Sequence, residues 1–575
     1  MSATVARTLA LLGLLAVLFG CSKEPEKLAV DLLEYVPAET AYVFVTSRPL
    51  PDDLRTRLAD HYAMQLAAQR AVFARLREQI ETADEAPEMA HEARQFFTVL
   101  DAALAEFEGR TTAAQVRELG IEPVTRTVVY GLGLLPAVRM EIVDASRLNA
   151  MLDRIERRAG VSATRAELSG QAYRRIDLGQ IDVVLAVTER HLIFGLLPDA
   201  LFDRDLPVLL GQQRPGKSLA DSDAIQALIE RHGFTGYGEG YVRLDELLGM
   251  LLGKGEGRNA GAMQVLGDAP VPVSTGCMQM TEQLVAGMPR MAIGVTRADA
   301  RQLAARGVWE STPAVAAHLQ RLAAPVPGVG APFGGLLAFG MGLDLPQLRN
   351  AIEALLQQVV ASGADCEWVD PDSLQALMPQ LNLALGPMTA GIKGFNLLID
   401  DLTIDQDSLQ PSAVSGGLLA AVDDPRGVFA LGAMFNPALA ALQVPNDGTF
   451  VDLPNELGLQ RQTPPLKVAI KDKALILLAG SAPVELAGTL VNAVALTPAP
   501  LLALDYGVAQ LVERLGGLME RAAAQMRAQG EVEAADGLGD QLDSFRLQAQ
   551  IFERLRISLH ASAEGLVMDE VMELR

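Results

Sequence analysis

Apolar residues recur along this chain with two periods, and the local period decides which element is expected. Short alternating runs rich in β-branched residues, bounded by charged or Gly-containing turns, read as strands. Stretches such as DASRLNAMLDRIERRAG, Asp144–Gly160, read as helices: this one opens on an Asp that can cap it and stops at a Gly. Strands in hairpins outnumber strand-helix-strand crossovers. That predicts an α+β chain of mostly antiparallel sheets with helices packed on them.

The pattern repeats. LAVTERHLIF (Leu185–Phe194) lies without gaps against VAIKDKALIL (Val468–Leu477), each reading as two strands around a charged turn. YVRLDELLGML from Tyr241 matches LLALDYGVAQL from Leu501, a strand ending in Leu-Asp, where Asp245 or Asp505 is placed to cap the helix that follows. RMAIGVTRADARQLAARGVWE from Arg290 parallels RISLHASAEGLVMDEVMEL from Arg556, a closing hairpin. The openings also correspond: VPAETAYVFVTSRPLPDDLRTRL from Val36 and APFGGLLAFGMGLDLPQLRNAI from Ala331. Four matches in the same order predict two tandem related units, 28–322 and 334–575, joined by a Pro/Gly linker over 323–333.

The first unit is expected to carry a helical insertion over 52–120, broken at Ala86-Pro87. Its stripe of Leu54, Leu58, Met64, Leu66, Val72, Phe73 and Leu76 has helical spacing and suits a core contact; a partner-binding face is the alternative. The Gly-rich stretch from Gly253 to Gly276 lacks periodicity and reads as a mobile loop.

With 575 residues the chain exceeds what one core normally serves, which agrees with two units, and half of it is hydrophobic. Acidic residues outnumber basic ones 71 to 48, for a net charge of −23, which argues against nucleic acid and anionic lipid surfaces as partners. No run after Cys21 is apolar enough to span a bilayer.

The start of the chain has one cation, Arg7, an apolar run Leu9–Phe19, then Gly20 and Cys21. That is the layout of a secretory signal, too short for a membrane span. Its ending, Leu18-Phe19-Gly20-Cys21, resembles the lipobox of bacterial lipoproteins, with Phe19 where a small residue is usual. The resemblance implies removal of residues 1–20, acylation of Cys21, a tether over 21–27 and membrane contact through the lipid. Ser22 in place of an Asp favours the periplasmic face of the outer membrane. In that oxidising compartment Cys277 and Cys366 can form a disulfide. The mature region is loosely similar to exported bacterial proteins that begin with a VPA-type turn and an apolar strand, which implies no activity.

Candidate chemistry is sparse. Gly211-Gln-Gln-Arg-Pro-Gly216-Lys217-Ser218 satisfies the P-loop pattern, but the residues before it read as helix or irregular, and Ser218 with Asp221 reads as a capping box. Asp400, Asp401, Asp405 and Asp407 are spaced like part of a calcium loop that lacks its Gly and closing Glu, and suit a solvated strand edge better. His61, His91, His191, His232, His318 and His560 are scattered without metal-ligand spacing. Gly328-Val-Gly330 and Gly236-Tyr-Gly238-Glu-Gly240 precede strands, the wrong order for a dinucleotide turn. No catalytic, cofactor or metal residue is assigned. The expectation is a non-catalytic envelope lipoprotein with a binding or structural role toward a protein, glycan or lipid. Alternatives are a carrier of a hydrophobic ligand, which needs an apolar cavity, and a carboxylate hydrolase.

Overall fold

The computed structural model describes residues 31–81, 87–254, 274–362, 379–380, 385–386, 389–404, 411–454, 465–480 and 484–575. The chain is α+β, and its contacts divide it into two compact units, Met1–Pro272 with Pro289–Arg306, and Val273–Met288 with Gly307–Arg575.

The first unit holds β1 (Tyr42–Val45), β2 (Thr127–Leu132), β3 (Leu135–Glu141), β4 (Thr164–Leu168), β5 (Gln171–Asp177), β6 (Ile181–Val187), β7 (His191–Pro198), β8 (Glu239–Arg243) and β9 (Arg290–Asp299). They lie in the order β9-β8-β1-β2-β3-β7-β6-β5-β4, every pair antiparallel. The boundary between units falls inside the next strand, β10 (Gln302–Glu310).

The second unit holds β11 (Leu337–Gly342), β12 (Ile392–Ile404), β13 (Pro411–Val422), β14 (Val451–Asp452), β15 (Leu466–Lys471), β16 (Ala474–Ala479), β17 (Pro500–Gly507), β18 (Phe552–Ser562) and β19 (Gly565–Leu574). Their order is β19-β18-β17-β11-β12-β13-β16-β15-β14, again antiparallel throughout. From β18 to β15 this is the order of the first unit from β9 to β6.

Register makes the likeness quantitative. Val45 faces Val128, Val128 faces Arg139 and Arg139 faces Ile193 across four strands of the first unit. In the second, Gly340 faces Asn396, Asn396 faces Leu419 and Leu419 faces Ile476. The sequence match that equates Val45 with Gly340 and the separate match that equates Ile193 with Ile476 therefore meet in one row. The other two matches pair the right strands with a slip. Val43 faces Tyr241 and its counterpart Ala338 faces Asp505, so Asp505 corresponds to Tyr241, not to Asp245. Tyr241 faces Ala292 and Asp505 faces Arg556, so Arg556 corresponds to Ala292, not to Arg290. Both slips are even, and a sheet's period of two leaves every residue on its expected face.

The capping role expected of Asp245 and Asp505 is corrected by this register. Asp505 lies inside β17, and Arg243 precedes the helix Leu244–Leu251 without a side-chain cap, while Asp245 sits in its first turn. Asp144 does cap: its carboxylate accepts from the backbone N–H groups of Ser146 and Arg147, and Gly160 closes the helix in the left-handed region. Five residues beyond the row that pairs Arg139 with Leu419 in the two units, Asp424 caps Pro425–Phe435 in the same way.

The insertion forms the helices Asp52–Glu81, Pro87–Leu104 and Ala113–Arg117. Leu54 and Leu58 are buried, Met64, Leu66 and Phe73 are half-buried, and the side chains of Val72 and Leu76 lie outside the description. Ala63, Ala102 and Val116 from these helices form one core with Leu148, Met151, Leu152 and Ile155. In the second unit the counterparts of Leu148 and Met151, Val428 and Leu431, are 41% and 43% exposed.

The segment 323–333 is packed structure, which corrects its reading as a linker. Val326 and Val329 are buried in the second unit's core with Leu398 and Leu419. Gly340 makes room for Val329: a Cβ on Gly340 would lie 2.7 Å from the valine's Cγ2. The stretch from Gly253 falls mostly outside the described residues, and at its end Ser274 caps the helix Thr275–Gly287.

A direct test of this packing is Gly340→Val, which installs the first unit's residue. It is expected to lower stability by roughly 1–3 kcal/mol in urea unfolding through overpacking. Gly249→Ala, in a helix with open space around it, is expected to raise stability by roughly 0.5–1 kcal/mol.

Candidate functional site

The row that joins the two repeats also lines a cavity in the second unit. In the second unit it runs Asn396, Gly340, Ala503, Ser558, Asp569 across five strands. Beside it, on the same face, run Ala338, Asp505, Arg556 and Val571. Two small residues, Ala338 and Ala503, leave a floor without bulk, Val329 packs onto Gly340, and Gly328, Gly330 and Ala331 complete the lining. The result is a cavity of about 260 Å³. With strands roughly 4.8 Å apart, Asn396 and Ser558 stand about 14 Å apart at the Cα level, one toward each end of the trough.

Its charges are answered within the protein. Asp505 is 5% exposed, accepts from the Phe333 N–H at 2.8 Å and pairs with Arg554 at 3.1 Å. Burial raises its pKa against those two contacts. Arg556 donates to Glu573 at 2.5 Å, and Asp569 lies 3.8 Å from the His560 ring. The neutral groups differ. Asn396 is only 3% exposed, and among the described residues neither its amide nor the Ser558 hydroxyl makes a hydrogen bond. The amide keeps accessible surface on the cavity, where water or a ligand can complete it.

In the first unit the same places are filled. Val45 faces Glu239, and Glu239 faces Gly294, as Gly340 faces Ala503 and Ala503 faces Ser558. Phe234 covers Gly294 so closely that a Cβ there would lie 2.5 Å from the ring. Glu239 is 1% exposed, accepts from Ser47 Oγ at 2.6 Å and from the Gly238 N–H at 3.1 Å. Burial pushes its carboxyl up to about 7, against the lowering pull of those bonds and of Arg48.

Ser558, His560 and Asp569 share this face and have the residue types of a hydrolytic triad. Ser558 nevertheless makes no hydrogen bond to His560, and a serine without a base on its hydroxyl is a weak nucleophile. Among the described residues no group of three His, Cys, Asp or Glu side chains could hold a metal ion.

Among the described residues, those singled out from sequence form no common site. Cys21, Cys366, Asp405 and Asp407 lie outside the described residues, while Cys277 is fully buried in the helix Thr275–Gly287. Before the P-loop-like stretch comes the helix Phe202–Leu209. The Ser218 hydroxyl donates to Asp221 at 2.7 Å, and Arg214 stacks over Tyr35 at 4.0 Å. Asp401 pairs with Arg514 at 3.0 Å, on the part of β12 that extends past β11. His61 and His232 are buried, His191 begins β7, His318 lies against Arg321, and His91 belongs to the helix Pro87–Leu104. Asn396 was missed because an Asn inside an apolar strand carries no motif; its place in FNLLID between apolar neighbours was the available signal.

Glu239 generates a pH test. Its folded pKa lies above the unfolded value, so the folded state holds the extra proton between the ordinary glutamate range and about 7, and stability falls as pH rises through that window. The loss amounts to roughly 3 kcal/mol for one such group. Glu239→Gln, which keeps an acceptor for Ser47, is expected to flatten the decline in melting temperature between pH 5 and pH 8; an unchanged decline would assign it to other groups.

No protein-family model, no curated protein and no solved structure matches this chain.

Proposed function

We propose that this chain is a membrane-anchored envelope lipoprotein with a non-catalytic binding role, and that the cavity on the second unit's sheet receives a small polar molecule. The observation that carries the binding role is the buried Asn396 amide, which faces that cavity with its hydrogen-bonding capacity unused inside the protein. A ligand that completes it replaces water at the amide, and those hydrogen bonds fix its orientation in the cavity. The lining is polar at both ends and about 260 Å³ in volume, which suits a compact solute better than an acyl chain.

The anchor is supported by the signal layout before Cys21. Among the described residues no helix is long and apolar enough to cross a membrane, which leaves the lipid as the proposed attachment. A bridge between Cys277 and Cys366 is part of the same proposal. The helix Thr275–Gly287, with Cys277, packs against Leu345–Ser362, and Cys366 follows that helix by four residues.

Three measurements test this reading. Cys21→Ser is expected to move the protein from the membrane to the soluble envelope fraction; unaltered retention would remove the anchor. Mass spectrometry of the unreduced protein is expected to show no alkylatable thiol at Cys277 or Cys366. A thermal-shift screen of small polar solutes is expected to find at least one that stabilises the protein and has no effect on Asn396→Ala. At a hundredfold excess over Kd such a ligand contributes about 2.7 kcal/mol.

A further inference from the structure

We infer that the cavity selects an uncharged polyhydroxylated molecule about the size of one sugar ring. The inference rests on the cavity being the binding site and adds the chemistry of its occupant.

The lining groups differ in the hydrogen-bonding capacity they have to spare. Asp505 spends one carboxylate oxygen on Arg554 and the other on the Phe333 N–H. Arg556 is engaged with Glu573. An anionic ligand would approach two carboxylates, Asp505 and Asp569, and a cation would approach Arg556; in either case the ligand competes with an ion pair already made within the protein. The Asp505–Arg554 pair is buried, and breaking such a pair costs more than forming a new one returns; the Arg556–Glu573 pair is partly exposed and resists less. A charged ligand is therefore disfavoured in both signs.

The remaining capacity belongs to the Asn396 amide and the Ser558 hydroxyl, each of which can both donate and accept. Hydroxyl groups have the same dual character, and a ring carrying several of them presents a donor and an acceptor at each end of the trough. Between the ends, Ala503 provides a small-residue floor, with Val329 packed onto Gly340 beside it. The first unit supports this assignment by contrast. There Glu239 stands where Ala503 lies, and Phe234 covers the place of Ser558, so that side chains from the protein itself occupy those places, while the place of Val45 is taken in the second unit by Val329 over Gly340. The volume, slightly below the range of drug-sized sites, limits the ligand to about one ring.

The test is isothermal titration of the full chain in detergent with glucose and N-acetylglucosamine, set against gluconate as the anionic probe and glucosamine as the cationic one. At least one neutral sugar is expected to bind at least tenfold more tightly than either charged probe. Asn396→Ala and Ser558→Ala should each weaken it by about tenfold, and Ala503→Met should abolish it. Melting temperatures and circular dichroism identify any variant that fails to fold, and Ser558→Ala, on a half-buried residue, gives the second reading if Ala503→Met does. Tighter binding of gluconate or glucosamine, blocked by Ala503→Met, would overturn the ligand class and leave the cavity as the binding site. Absence of binding by all four probes at tens of millimolar would overturn both. Binding of glucose that none of the three variants alters would place it elsewhere and overturn the inference.

Discussion

The structure depends on the parity of a pleated sheet. A strand that slips by one residue exchanges its buried face for its exposed one, so a sheet packed on one side tolerates only even displacements. In both units the pairing carries that constraint from β1 or β11 outward, and it holds Val45, Val128, Arg139 and Ile193 in line just as it holds Gly340, Asn396, Leu419 and Ile476. Everything at the candidate site follows from this alignment. Asn396 faces the cavity because Leu397 and Phe395 face the other way, and Asp505 reaches the Phe333 N–H because Ala503 and Asp505 share a side.

Backbone packing then turns a common ladder into two different surfaces. Small residues in the second unit admit the chain before β11, whose Val326 and Val329 become core. The first unit instead fills its ladder with side chains, among them a glutamate whose carboxyl burial pushes up to about 7. Neither outcome needs a different topology. A few exchanges of side-chain volume at equivalent positions separate a filled face from a hollow one.

How much of this could be read beforehand differs by type of feature. The α+β class, the helix bounded by Asp144 and Gly160 and the repeat were legible, because each rests on periodicity or a local cap. The cap assigned to Asp505 was misplaced because letter matching cannot see a four-residue slip that preserves the face. The Pro/Gly run was misread as a linker because its punctuation is loud and its two buried valines are not: Val326 and Val329 pack only through glycine sockets supplied by other strands. The cavity was not legible at all. Its residues come from five strands and a loop more than two hundred positions apart, and none of them forms a motif.

The Glu239 and Ala503 pair shows what a duplicated ladder permits over evolutionary time. Because backbone pairing alone fixes the alignment, a mutation at that site in one half leaves the ladder of the other half untouched. One half can keep a plugged interior as structural ballast while its sibling explores new occupants. Innovation in such a protein is thus partitioned: the lineage can gamble with one copy of the fold without staking both.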